Sequence, residues 1–478
     1  MIYSRRKEVV RDYADGIASE RDAWIEKNSY YYNSDYSYMR FLIPPGLRVL
    51  EVGCGTGRLL AELHPGEGVG IDISPNMVET ARRNHPDLTF ILGDAEDPEF
   101  IASIGRPFDV IILSDTIGYL SDCQTAFSNL HPLCTPDTRI IIAYYSKIWE
   151  PLLHAATLAG LKMPQPELNW LSTDDIINLL TLSDFEPIKR EWRQLLPRRL
   201  LGLGPVINSW IAPLPGIRLL CLRNYVVARV SPHLVTHPRP ESVTILVPCK
   251  NEKGNIENAV LRIPHFCDNT EILFVEGGSQ DGTREEIQRV IEKYPDKHIR
   301  LLTQDGKGKG NAVRKGFEHA TGEVLMILDA DLTMPPEYLP KYFEALASGR
   351  GEFINGSRLI YPMDDDAMRF LNHLANRTFS WLFTWLLNQR FTDTLCGTKV
   401  LRKRDYDLIQ DNRSYFGEFD PFGDFDLIFG AVKLNKKVQE IPVRYAGRSY
   451  GETQISRFRH GWLLLKMVVF AFKKMKAI

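Results

Sequence analysis

The chain of 478 residues reads as two α/β domains, each a mainly parallel sheet flanked by helices. Three observations predict this. The length exceeds what one ordinary hydrophobic core organises. Short apolar runs alternate with helical stretches in both halves, the pattern of β-α-β units. Between the halves, SPHLVTHPRPES (Ser231 to Ser242) carries three prolines and suits an extended linker. The reading therefore places one domain at residues 1–230, a linker at 231–241 with the boundary near Pro238, and a second domain at 242–478.

In the first half the strand-like runs are Leu47 to Val52, Val69 to Ile73, Leu88 to Leu92, Val110 to Leu113 and Ile140 to Ala143. In the second they are Val243 to Val247, Ile272 to Val275, Ile299 to Leu302 and Val324 to Leu328. Residues 150 to 230 are expected to complete the first sheet. They include an apolar, proline-broken stretch, LPRRLLGLGPVINSWIAPLPGIRLLCL, that reads either as a wall of an acceptor site or lipid contact, or as a buried cover for the sheet.

Composition narrows the function classes. A formal charge of -2, with no acidic or basic tail, gives no footprint for nucleic acid. The seven cysteines are scattered, with no CxxC pair and no zinc spacing, which suits a reducing cytosol. The opening MIYSRRKEVVRDYADG has no apolar stretch behind its basic residues, and no segment offers about 20 consecutive apolar residues for a spanning helix.

The run LRVLEVGCGTGRLL reads as a buried strand, a turn containing Gly53, Gly55 and Gly57, then a helix. Glycines there let the backbone approach a ligand closely. A dinucleotide fingerprint would need its third glycine at Arg58. The spacing found, preceded by Glu51, resembles motif I of class I S-adenosylmethionine (SAM)-dependent methyltransferases. Asp72, with Ile73 beside it, ends the next strand and is placed to accept the ribose hydroxyl hydrogens. The resemblance implies an adenine contact at Asp94 and Ala95, and places Ser114 and Asp115 at the ligand-binding edge of the fourth strand. Tyr31 and Tyr32 are candidates to cap the cofactor. Together these features span about residues 28 to 145 and imply a Rossmann-like SAM methyltransferase.

From Val243, VTILVPCKNEKGNI resembles the opening of family 2 glycosyltransferases, with Pro248, Asn251 and Glu252 at the nucleotide turn. FVEGGSQDGT follows, with Glu276 and Asp281 at acidic positions and Gly277 where the family carries a second aspartate. KGKGNAVRKGFEHATGEVLMILDADLTMPPEYL, with Lys309, contains a DxD motif, Asp329-Ala330-Asp331. Two carboxylates at the end of an apolar strand suit Mg²⁺ or Mn²⁺ bridging a sugar nucleotide's phosphates. The resemblance implies a GT-A fold and is strongest to dolichyl- and polyprenyl-phosphate mannosyltransferases. It rests on INGSRL, TDTLCGTKVL and IPVRYAGRSYGETQIS, and makes Arg358, Lys399 and Arg448 candidate contacts for an acceptor phosphate, with Asp393 an orienting or catalytic residue. Cys396, Thr398, Lys399 and Thr333 depart from the family pattern.

Two stretches read as lipid-facing or, alternatively, as helices packed on the domain or on another subunit. In the last 21 residues Arg459, Lys466 and Lys473 recur every seven positions, opposite Leu464, Val468, Ala471 and Met475. Arg369 to Phe391 offers a second apolar surface. The expectation is a bifunctional enzyme, peripheral on the cytoplasmic face of a membrane. It would move a sugar from a nucleotide diphosphate to a polyprenyl phosphate and methylate a related glycan or lipid intermediate. The alternatives are a soluble transferase acting on a saccharide or small metabolite, and a chain in which one half is a binding or scaffolding module.

Overall fold

Each of the nine apolar runs is a strand. The computed structural model describes residues 5–361, 370–416, 425–444, 446–447, 450 and 457–478. Its strands in chain order are β1 Arg48–Val52, β2 Glu67–Asp72, β3 Thr89–Leu92, β4 Val110–Ser114, β5 Arg139–Tyr145, β6 Phe185–Arg193 and β7 Arg223–Val230 in the first half. The second half holds β8 Ser242–Cys249, β9 Asn269–Glu276, β10 His298–Thr303, β11 Val324–Ile327, β12 Phe353–Ser357, β13 Lys399–Arg402 and β14 Val438–Pro442. By internal contacts the chain falls into two units, residues 1–236 with 476–478, and residues 237–475.

In the first unit the strand order is β3-β2-β1-β4-β5-β7-β6. β1 to β5 run parallel, and β7 lies antiparallel to both β5 and β6. Val49 to Val52 and Val110 to Leu113 are buried on both faces, as the centre of a parallel sheet requires. Three helices precede the sheet: α1 Arg5–Ile17, α2 Arg21–Lys27 and α3 Ser29–Leu42. Side-chain caps set helix starts after the strands, with Ser74 accepting the N–H of Met77 and Asp97 those of Glu99 and Phe100.

The second unit has the order β10-β9-β8-β11-β13-β12-β14. β13 is inserted antiparallel between β11 and β12, while β8 to β11 are parallel. β12 to β14 are short and interrupted by Gly, Lys, Arg and Glu, so no apolar run marks them in the sequence.

The C-terminal helix Arg457–Met475 corrects one expectation. Leu464, Ala471 and Met475, read as a lipid-facing stripe, are buried, and so are Met467 and Phe472. The helix packs on Phe370–Leu387, where the rings of Trp385 and Phe472 lie 5.8 Å apart. The apolar stripe is consumed by helix packing. What faces outward is Trp462, Leu465 and Val469, beside the exposed Lys466 and Lys473. The side chain of Arg459 lies outside the described residues.

Candidate active sites

In the first unit the chain leaves β1 through Gly53, Gly55 and Gly57, with φ of 72°, 54° and 76°. A Cβ at Gly53 would stand 2.4 Å from Thr116 Oγ1, and one at Gly55 2.8 Å from Arg21 Nε, so the turn admits no side chain. Asp72, at the end of β2, holds this turn. Its Oδ2 accepts the N–H of Gly55 at 2.8 Å and its Oδ1 that of Ser74 at 2.9 Å. Burial raises its carboxyl above the usual range, against the pull of those N–H groups and Arg21.

Gly53, Gly55, Asp72, Ile73, Asp94, Ala95 and Ser114 line one cleft with about 1030 Å³ of empty space, partly open to solvent, at the C-terminal ends of β1, β2 and β4. Two residues of the set lie elsewhere. Glu51 is buried beneath the turn, where its Oε2 accepts the N–H of Leu60 at 3.1 Å and burial pushes its carboxyl up to about 8. Gly57 packs against the ring of Phe90. Tyr32 lines the cleft, and Tyr31 lines a neighbouring cavity.

The cleft also uses residues that no motif marks. Lys7, Val10, Tyr13, Ala14 and Ile17 of α1 form one wall, and Lys7 Nζ pairs with Asp94 Oδ2 at 2.6 Å. Across the cleft, the buried Arg223 of β7 donates to Asp35 Oδ1 at 2.9 Å, to Ser114 Oγ at 2.8 Å and to Asp115. Burial disfavours the Arg223 cation, yet the two carboxylates outweigh it and keep the guanidinium charged. Arg223 lies more than 100 residues from Ser114, a distance at which neither motif spacing nor periodicity carries a signal.

In the second unit the candidate residues gather at the C-terminal edge of β8, β9 and β11. Asn251, at φ 56°, accepts the N–H of Gln280 at 2.9 Å and donates its own N–H to Ser279 Oγ at 2.9 Å. Glu276 accepts the N–H of Ser279. Asp281 accepts the N–H of Lys253 at 3.2 Å and that of Thr283 at 3.0 Å, so its carboxylate joins the two turns. Glu252 accepts from Asn255 Nδ2 at 2.7 Å, and Pro248 lies in register with Val275 one strand away.

Asp329 follows β11, and its Oδ1 lies 2.6 Å from Lys309 Nζ. Burial would raise its carboxyl, but Lys309, Lys399 and Arg358 outweigh that and hold it below the usual range. Gly397 abuts it so closely that a Cβ there would fall 1.9 Å from Asp329 Oδ2. Ala330 is buried, and Asp331 Oδ1 accepts from Thr333 Oγ1 at 2.7 Å. Among the described residues no group of three or more His, Cys, Asp and Glu is arranged to hold a metal. A pair of aspartates on a sheet edge still fits a hard cation that draws its other ligands from a diphosphate and water.

Arg358 forks onto Asp393, with Nε to Oδ2 at 2.6 Å and Nη2 to Oδ1 at 2.8 Å. Asp393 is buried, which alone would raise it, but the guanidinium holds it below the usual carboxylate range. Lys399 is buried and donates to the carbonyl of Cys396. Arg448 lies outside the described residues.

The first half thus presents a sheet-edge cleft built on a glycine turn, and the second a sheet edge that carries a paired aspartate. Residues 43–196 match the family model of a methyltransferase domain, and residues 244–408 that of glycosyl transferase family 2. The chain thus carries, in this order, a match to a methyltransferase domain and a match to glycosyl transferase family 2, each over its own α/β sheet.

The second half is similar to the dolichol-phosphate mannosyltransferase of Pyrococcus furiosus, 30% identical over 47% of this chain and 64% of that protein. It is also similar to the undecaprenyl-phosphate 4-deoxy-4-formamido-L-arabinose transferase of Klebsiella pneumoniae, 24% identical over 47% and 66%. The chain thus spans under two thirds of the length of each of these two relatives. Among solved structures, a SAM-dependent methyltransferase of Thermotoga maritima matches at TM-score 0.37 and 18% identity, over 46% of this chain and 99% of that one. Glucosyl-3-phosphoglycerate synthase of Mycobacterium tuberculosis matches at TM-score 0.37 and 14% identity, over 49% and 78%. Among the described residues no helix is long and apolar enough to cross a membrane.

Proposed function

We propose that the second unit transfers a sugar from a nucleotide diphosphate to a polyprenyl phosphate, and that the first methylates a related glycan or lipid intermediate with SAM. The chain would act peripherally on the cytoplasmic face of a membrane. One observation carries the transferase reading: Lys309 pairs with Asp329 of the paired aspartates at 2.6 Å, and the charges of Lys399 and Arg358 also act on that carboxylate. This arrangement combines ligands for a cation with charges that neutralise phosphates. Similarity to two enzymes named for polyprenyl-phosphate substrates supplies the acceptor class.

Asp329 and Asp331 would hold Mg²⁺ or Mn²⁺, which when bound offsets the charge developing on the departing diphosphate. Lys309, released from Asp329, is placed to meet donor phosphates. Asn251, Glu252, Glu276 and Asp281 shape the turns that receive the nucleotide. A phosphate acceptor is already anionic near neutral pH, so the reaction needs alignment and charge neutralisation more than a strong base. Asp393 accordingly serves as a positioning residue that fixes Arg358, and Arg358 and Lys399 are the proposed contacts for the acceptor phosphate. In the first unit Asp72 orients the glycine turn and takes the ribose hydroxyls, Asp94 and Ala95 flank the adenine, and Ser114 borders the methyl group's end of the cleft.

The deciding experiment incubates the protein with undecaprenyl phosphate, a panel of nucleotide sugars, Mg²⁺ or Mn²⁺ and SAM, and follows product masses. A polyprenyl-phosphate sugar that forms only with a divalent cation, and gains 14 mass units with SAM, is the expected result. Transfer only to water-soluble saccharides would instead support a soluble enzyme, a reading favoured by the packed apolar face of Arg457–Met475.

A further inference from the structure

The first unit has a second cavity beside this cleft, with about 700 Å³ of empty space, partly open to solvent. The two share Tyr32, Tyr145, Met163 and Gln165, so they adjoin along these four side chains. Trp24, Tyr31 and Leu153 make much of the remaining lining apolar. The lining contains two cations, Lys162 and Arg198, and no carboxylate. Lys162 Nζ donates to the neutral amide of Gln165 and stands 5.7 Å from the Tyr145 ring. Burial pushes its ammonium down to about 8, with only the more distant charge of Asp115 opposing, and a bound anion would relieve that penalty.

The rim of this cavity is unlike ordinary protein surface. On one side, Leu152 and Leu158 of the helix Glu150–Leu158 are exposed, Leu158 at 88%. On the other, the segment from Leu200 to Leu220 exposes Leu201 completely and Trp210 by half. Trp149 Nε1 donates to the carbonyl of Leu220 at 2.8 Å, which joins the two sides into one surface. No acidic residue occurs between Glu191 and Glu241, whereas the exposed Arg198 and Arg199 immediately precede this segment and the half-buried Arg218 lies within it. A contiguous apolar face with basic residues and tryptophan complements an anionic bilayer. The segment is therefore not a buried cover for the sheet.

We infer that this cavity is the methyl-acceptor site and that its apolar rim docks on an anionic bilayer. The acceptor is then an amphiphile whose anionic head enters from the lipid and lies between Lys162 and Arg198. The inference rests on the methyltransferase reading of the first unit and names the substrate class for it.

The test uses the full chain and three readouts. SAM affinity by calorimetry reports on the methyltransferase reading alone. Flotation with vesicles of phosphatidylcholine and phosphatidylglycerol reports on the rim: Leu158→Asp with Leu201→Asp is expected to weaken vesicle binding by about tenfold or more while SAM affinity and thermal unfolding stay as in wild type. Titration with dodecyl phosphate below its micelle concentration, followed by Trp24 fluorescence, reports on the cavity. Saturable binding is expected, weakened about fivefold or more by Lys162→Gln and by Arg198→Glu through loss of a charge-assisted contact. Vesicle binding unchanged in the double variant, or self-association in solution that the double variant abolishes, overturns the bilayer surface. Absence of saturable dodecyl phosphate binding in a protein that binds SAM overturns the acceptor site and leaves the cofactor reading standing.

Discussion

Asp72 engages both carboxylate oxygens with backbone N–H groups of the turns that frame the cleft, so its removal loosens the turn and deletes a ribose acceptor together. Hydrogen bonds to a charged group contribute about 1.5–3 kcal/mol each, and Asp72→Ala is expected to weaken SAM binding by roughly 10- to 100-fold in calorimetry. Sugar transfer should be unaffected. Glu51 supplies a pH signature. Its folded carboxyl, raised to about 8, keeps a proton that the unfolded chain releases near its ordinary value. The folded state therefore binds more protons between those two pH values, and stability falls as pH climbs toward about 8. Glu51→Gln removes this slope. Between pH 6 and 8 its Tm is expected to gain on wild type by about 3–5 °C per pH unit, from 1.36 kcal/mol per unit and about 2–4 °C per kcal/mol. At this scale the sequence disclosed what lies next to a strand end, because a motif is a local object. Lys7, Lys162 and Arg223 reach the same region from remote segments, and only folding brings them there.

For elements, the helix Arg457–Met475 shows how a periodic pattern misleads. A stripe of apolar residues opposite basic ones satisfies membrane docking and helix packing equally, since both remove the same face from water. Here the packing partner, Phe370–Leu387, lies some 80 residues away and buries Phe379, Phe383, Leu386 and Leu387. Phe472→Ala is expected to destabilise the second unit by about 3–5 kcal/mol, whereas Val469→Ala, on the outward face, should change stability by about 0.5 kcal/mol or less. Thermal unfolding of the two variants checks the contrast. The strands β1, β2, β4, β5, β8, β9 and β11 were legible because central strands must be apolar on both faces, and the edge strands β3 and β10 because short apolar runs mark them even where one side is exposed. β12 to β14 carry charged residues and glycine at a sheet margin, and nothing local distinguishes them from loops.

At the level of the whole molecule, two sheets with separate hydrophobic cores support two separate chemistries. Asp331→Asn keeps the shape of the sheet edge and removes one carboxylate charge. Sugar transfer is expected to fall by about 10²- to 10³-fold, while SAM affinity and methyl transfer hold at the wild-type value. Parallel loss of both activities would refute independent units. The overall class was readable because each half repeats the strand-then-helix alternation over more than 100 residues, a signal too long to arise from local accident. The kinetics of the first unit follow from α1, which walls the cleft yet has no buried residue of its own. Lys7 to Asp94 and Glu96, Arg6 to Asn169, Tyr13 to the carbonyl of Pro164 and Asp15 to the N–H of Asn76 are polar ties, those of Lys7 ionic. A wall fastened in this way is a latch whose hold depends on ionic strength. The dwell time of the spent cofactor, and with it the ceiling on turnover, should shorten as salt rises, even where equilibrium affinity changes little. Stopped-flow release of S-adenosylhomocysteine across a salt series would measure it.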